Sequence, residues 1–177
     1  NTGRGITVTT GYLTIKNCNI SNNSVPDDYA GGSSRSIFKT TITGSEISGN
    51  SAYYDGGGIY NDHGILTITG SEISGNSTTS HAGGIHHYYG TLAIFNSEIS
   101  GNSASDGSGI YLEQGTATIT GSIISSNSAS DYGGGGIYNE ATLTITDSEI
   151  SGNSAPDGGG IYHWSGDLTI TGSTISG

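Results

Sequence analysis

Basic residues, proline, methionine and cysteine are nearly missing from this 177-residue chain: Lys and Arg together number 4, Pro 2, Met 0 and Cys 1. Each shortage excludes something. A nucleic-acid partner needs a basic track to neutralise phosphates, whereas 4 basic against 15 acidic residues leave a net charge of −11, and Arg4, Lys16, Arg35 and Lys39 all lie in the first quarter. Nucleic acid is therefore excluded. Cys18 is alone, so no internal disulfide supports the fold. No apolar run approaches the about 18 residues of a membrane span, and membrane insertion is not expected. A hydrophobic content of 31% is small for a chain that must enclose a round core. The chain opens at Asn1 without a basic, then apolar leader, which reads as a mature or excised segment. Little Lys, an acidic balance and abundant Ser, Thr, Asn and Gly point to an extracellular or cell-surface location.

What is present is a repeat. Ile15, Ile42, Ile68, Ile94, Ile119, Ile145 and Ile170 follow one another at spacings of 27, 26, 26, 25, 26 and 25. A second column lies five residues later in every repeat: Ile20, Ile47, Ile73, Ile99, Ile124, Ile150 and Ile175. A third comprises Ile37, Ile59, Ile85, Ile110, Ile137 and Ile161. Self-similarity at such a period is the mark of a solenoid. Alternation within a strand sends Leu66, Ile68, Ser71 and Ile73 inward and Thr67, Thr69, Glu72 and Ser74 outward. Glycine interrupts every stretch that could be read with helical spacing, so essentially no helix is expected. The expected fold is all-β: a single parallel β-helix over residues 1–177, about seven coils with three short strands each. Its 1–38 region is read as an irregular first coil, and 39–177 as regular coils. One coil cannot fold alone, because its buried isoleucines do not offset the entropy of ordering about 26 residues; neighbours must stack.

The segments "GGGIYN" and "LTITGSEISGNS" and the 25–27 period resemble the right-handed parallel β-helix repeats of bacterial surface proteins, and are similar to the repeats of polymorphic outer-membrane proteins. The resemblance covers the whole chain. It implies right-handed winding and an adhesive or stalk-like role without catalytic residues.

Several columns are candidates for function. Asn23, Asn50, Asn76, Asn102, Asn127 and Asn153 fall three residues after the second isoleucine column and read as a structural ladder of turn amides. Two outward threonine columns, Thr14, Thr41, Thr67, Thr118, Thr144 and Thr169 beside Thr43, Thr69, Thr120, Thr146 and Thr171, form a grid of the Thr-x-Thr kind that solenoid ice-binding proteins carry. Ala93 and Phe95 interrupt it, and threonine is also simply a good strand former. Tyr60, His86, Tyr111, Tyr138 and Tyr162 form an outward aromatic strip, read either as sheet-stabilising stacking or as a surface for glycans or self-association.

Glu46, Glu72 and Glu98 stand on consecutive rungs, where repulsion is relieved by water or by a bridging Ca²⁺; no other cofactor is expected. Asp55, Asp106, Asp131 and Asp157 read as turn residues ahead of glycine runs. His63, His81, His86 and His87 are close in sequence, but opposite parity of His86 and His87 argues against a shared metal. Asn19, Asn22 and Asn76 head glycosylation sequons, and Asn22 at a turn is the best placed, ahead of Asn19.

No break in the repeat builds a carboxylate groove of the kind polysaccharide-degrading β-helices need, so the chain is expected not to be an enzyme. The leading expectation is a structural or adhesive module, with ice binding and carbohydrate binding as alternatives. Ile170 and Ile175 on the last rung make end-to-end association with further copies a further expectation.

Overall fold

The computed structural model describes residue 6 and residues 11–27 and 39–177. The third-column Ile37, together with Arg4, Arg35 and most of the stretch from Val25 to Phe38, lies outside the described residues.

Every described element is a short strand, and every strand pairs in parallel with its counterpart one repeat away. The strands fall into four sheets. A threonine sheet has seven strands, from Tyr12–Lys16 through Lys39–Thr43, Ile65–Thr69, Thr91–Phe95, Thr116–Thr120 and Thr142–Thr146 to Leu168–Thr171. A glutamate sheet of seven strands runs from Asn19–Ser21 to Thr174–Ser176. A tyrosine sheet of five strands runs from Ile59–Asn61 to Ile161–His163. The fourth sheet, of five two-residue strands from Ser24–Val25 to Ser128–Ala129, corrects the expectation of three strands per coil. It was hidden because a Ser-Ala pair carries no large apolar residue to make a column.

Seven rungs amount to six full turns. Within the 1–38 region, the strands Tyr12–Lys16 and Asn19–Ser21 already keep register with the next coil, Ile15 opposite Ile42 and Ile20 opposite Ile47. Alternation holds on the threonine sheet: Leu66 and Ile68 are buried beneath half-exposed Thr67 and Thr69. The three isoleucine columns from Ile15 to Ile150, as far as their residues are described, fill the interior, joined by Leu92, Leu112 and Leu143, while Ile170 and Ile175 on the last rung are exposed.

Two polar ladders close the corners. At the bend from the glutamate sheet, Asn76 Nδ2 donates to Asn102 Oδ1 (3.1 Å) and to the Ile47 carbonyl (2.9 Å), while Asn102 Oδ1 also accepts from the Asn76 backbone N–H (2.9 Å). The pattern recurs from Asn50 to Asn153, and Asn50, Asn76 and Asn127 are fully buried. Where the threonine and glutamate sheets meet, each serine hydroxyl accepts from the backbone N–H one coil below, Cys18 beneath Ser45 and serine thereafter, and donates to the carbonyl two residues before it: Ser71 Oγ from Ser45 N (3.2 Å) and to Thr69 O (3.0 Å). Buried turn groups that would be costly unpaired are thus satisfied rung by rung. The residue before each serine has positive φ, and Asn96 and Asp147, both at 48°, stand there in place of glycine because short polar side chains tolerate the left-handed region.

Candidate functional site

On the tyrosine sheet, one outward residue per rung is aligned by strand register: Tyr60, His86, Tyr111, Tyr138 and Tyr162. One-rung spacing brings their rings into contact. Tyr111 and Tyr138 stack with centroids 4.5 Å apart and planes 4° from parallel, and Tyr138 and Tyr162 follow at 5.1 Å. His86 meets Tyr60 at 5.1 Å and Tyr111 at 5.2 Å, both edge-on. Rings stacked along the axis turn their faces to one another and present their edges outward. The strip is also sunken, with His86 only 3% exposed and Tyr111 9%.

Two walls bury it. The first comes from the turns ahead of each strand, five residues before the aromatic: Asp55, His81 and Asp106. The side chain of His81 is hydrogen-bonded through Nδ1 to Asp55 Oδ1 at 2.9 Å, its backbone N–H donates to the same oxygen at 3.1 Å, and its Nε2 stands 3.8 Å from Asp106 Oδ2. The His81 ring lies 4.7 Å from that of Tyr111. The second wall is built by residues two beyond the aromatic, which share its face of the strand: Glu113, Glu140 and Trp164. Glu113 Oε2 lies 3.4 Å from His86 Nε2, and Trp164 sits 6.3 Å from Tyr162 with planes 24° apart.

The electrostatics follow from burial between carboxylates. Burial pushes the Tyr111 phenol well up, with the Glu140 carboxylate adding to it, and the same two causes push Tyr138 up to about 12. Both phenols are neutral hydrogen-bond donors at any physiological pH. The Asp55 hydrogen bond raises His81, against burial; burial is the strongest single influence on Asp55 and pushes it up, but the side-chain and backbone hydrogen bonds from His81, with the nearby imidazoles of His86 and His81, together hold the carboxyl below its usual range. Burial raises Asp106. Both ring nitrogens of His86 and the Oδ1 of Asp106 are buried without a hydrogen-bond partner among the described residues. Over this channel opens a cavity of about 300 Å³, lined by His81, Asp106, Tyr111, Tyr132, Tyr138, Tyr162 and Trp164.

The other sequence candidates are placed as follows. The threonine columns face outward in register, Thr41 opposite Thr67, Thr118 opposite Thr144 and Thr144 opposite Thr169, with Ala93 between Thr67 and Thr118 and an exposed Phe95 between Thr69 and Thr120. Glu46, Glu72 and Glu98 line a larger groove of about 700 Å³ with Asn17, Asn19 and Ile123. Two of these carboxylates already accept hydrogen bonds, Glu46 from Ser48 Oγ (2.6 Å) and Asn19 Nδ2 (2.8 Å), Glu72 from Ser74 Oγ (2.7 Å). The groove is the larger space, but three of the four buried polar atoms without a partner among the described residues, His86 Nδ1 and Nε2 and Asp106 Oδ1, belong to the tyrosine channel, the fourth being His87 Nε2 in the core. His87 points into the core, 2.9 Å through Nδ1 from Asn61 Nδ2, and His63 packs on Tyr88 and Tyr89. Among the described residues no group of three His, Cys, Asp or Glu side chains is arranged to hold a metal. Asn22 is exposed and Asn76 is fully buried.

The sequence reading found the aromatic column and missed its walls. Glu113, Glu140 and Trp164 were recoverable from period-two parity, since each is two residues past a column member. The Asp55, His81 and Asp106 wall carried only a turn signature.

Residues 1–176 match the family described as "Right handed beta helix region". No curated protein and no solved structure matches the chain.

Proposed function

We propose, for a chain that belongs to the right-handed β-helix family, that it is an adhesive module displayed outside the cell which holds a glycan along the tyrosine channel without cleaving it. The observation that carries this reading is the 300 Å³ cavity, in which neutral phenols, an imidazole, a carboxylate and an exposed indole converge on one open space. Saccharides are bound by that combination: hydroxyls exchange hydrogen bonds with phenols and carboxylates, and apolar sugar faces lie on aromatic surface. Trp164, 64% exposed, offers such a surface, while the ring edges of Tyr138 and Tyr162 offer polar ends. The uniform coils supply a rigid rod on which the channel repeats from rung to rung. Titration calorimetry against a panel of oligosaccharides tests it. Binding that Tyr138→Ala and Trp164→Ala each weaken, with no release of new reducing ends, is expected; a panel without a binder, or robust turnover, overturns it.

Ice binding is a second reading, favoured by the in-register Thr118, Thr144 and Thr169 rank. It requires recrystallisation inhibition that Thr144→Tyr abolishes by spoiling the flat grid. Ordinary ice growth at high protein concentration removes it.

A further inference from the structure

The channel's charge is strongly one-sided. Beyond Lys39 the chain contains no Lys or Arg through Gly177, yet thirteen of its fifteen carboxylates lie there, all but Asp27 and Asp28. Four of the thirteen, Asp55, Asp106, Glu113 and Glu140, flank the aromatic column, two on each side. Within the channel only imidazoles can carry positive charge. His81 is engaged by Asp55 at 2.9 Å, and His86 is 3.7 Å from Asp55 and 3.4 Å from Glu113. Neither reaches Asp106 Oδ1: the Asp106 carboxyl accepts from the backbone N–H groups of Tyr132 and Gly133, but its Oδ1 has no hydrogen-bond partner among the described residues, and Asp106 lines the cavity. A buried carboxylate oxygen left unpaired is costly, and a donor arriving with a ligand removes that cost. The neighbouring surfaces are aromatic, and π-systems attract cations.

We infer that the channel's glycan carries free amines: an oligomer of the glucosamine type, its ammonium groups seated between the Asp106 wall and the Glu140 wall and against the tyrosines. The inference rests on the glycan-binding reading above and names the sugar class that reading leaves open. Acidic glycans are repelled by the same carboxylates, and neutral ones bring no charge to Asp106 Oδ1, which the imidazole of His81 on the Oδ2 side does not reach. An ammonium donates up to three hydrogen bonds and carries the missing charge.

The experiment compares a glucosamine hexamer, an N-acetylglucosamine hexamer and a glucose hexamer of equal length in mildly acidic buffer, where sugar amines are protonated, with spermine as a charge-only probe. The glucosamine hexamer is expected to bind about tenfold more tightly than either neutral hexamer, and to lose that margin in high salt and in Glu140→Gln. Glu140 stands at the edge of the channel, so its variant keeps the fold where Asp106→Asn, a more buried change, would not serve alone; circular dichroism checks both. Equal affinity for all three hexamers overturns the amine inference and leaves glycan binding standing. Binding of none defeats the glycan reading itself. Spermine binding as tightly as the glucosamine hexamer, with the same loss in Glu140→Gln, overturns the inference by showing that charge alone is recognised.

Discussion

The side-chain amide of Asn76 donates to Asn102 Oδ1 at 3.1 Å while its own Oδ1 accepts from Asn50, so each asparagine is both partner and template for the next. Asn102→Ala leaves the Asn76 N–H and amide without their acceptor and the Ile73 carbonyl without its donor, all buried. A loss of about 2–4 kcal/mol is expected from these unpaired groups, read as a lower midpoint in urea unfolding. An Asn102→Ala protein as stable as the parent would show the ladder to be incidental.

Two glycines at bends separate strain from crowding. Gly90 has φ of 114°, and a Cβ there would fall against the backbone of Gly64 one coil below. Gly70 has φ of 55° with nothing within 4 Å of its Cβ position. Gly70→Ala is expected to cost about 1 kcal/mol, the left-handed penalty alone. Gly90→Ala should cost about 3 kcal/mol or more, since the coil spacing itself must give. Equal thermal midpoints for the two variants would contradict this.

His87 gives the fold an acid limit. Burial lowers its pKa from 6.5 to about 4, so the folded chain keeps it neutral while the unfolded chain takes up a proton below pH 6.5. Stability from this group is complete above the unfolded value and is lost as pH falls toward 4, amounting to about 3 kcal/mol at the acid end. Asn61 occupies the same column one coil below and Asn139 two coils above, so His87→Asn suits the site and should flatten this limb. Midpoints measured across the acid range check it; an unchanged slope would assign the effect to other groups.

Glycan attachment separates two sequons by burial alone. In a host that modifies Asn-X-Ser/Thr, Asn22 is expected to be occupied because it is exposed at a bend, and Asn76 to be bare because it is sealed inside the ladder. Peptide mapping after expression locates the sugar. An intact mass equal to the unmodified 17.9 kDa rejects attachment.

Residue order alone set the repeat, the parallel register and the facing of the described column residues. Those follow from two local rules, alternation along a strand and a constant repeat length, which together place Ile68 over Ile42 and Tyr138 over Tyr111 whatever the turns do. The Asn ladder was legible for the same reason, since a polar residue recurring at one phase of a solenoid must meet its own copies. Tertiary structure alone decided the fourth sheet and the first wall of the channel. A Ser-Ala strand is held by neighbouring backbone and carries no column of its own. Asp55, His81 and Asp106 precede or interrupt glycine-containing turns, and glycine permits so many backbone paths that only the stacked coils choose one. That choice folds the turn side chains over the aromatic column, buries His86 and leaves Asp106 Oδ1 without a partner among the described residues.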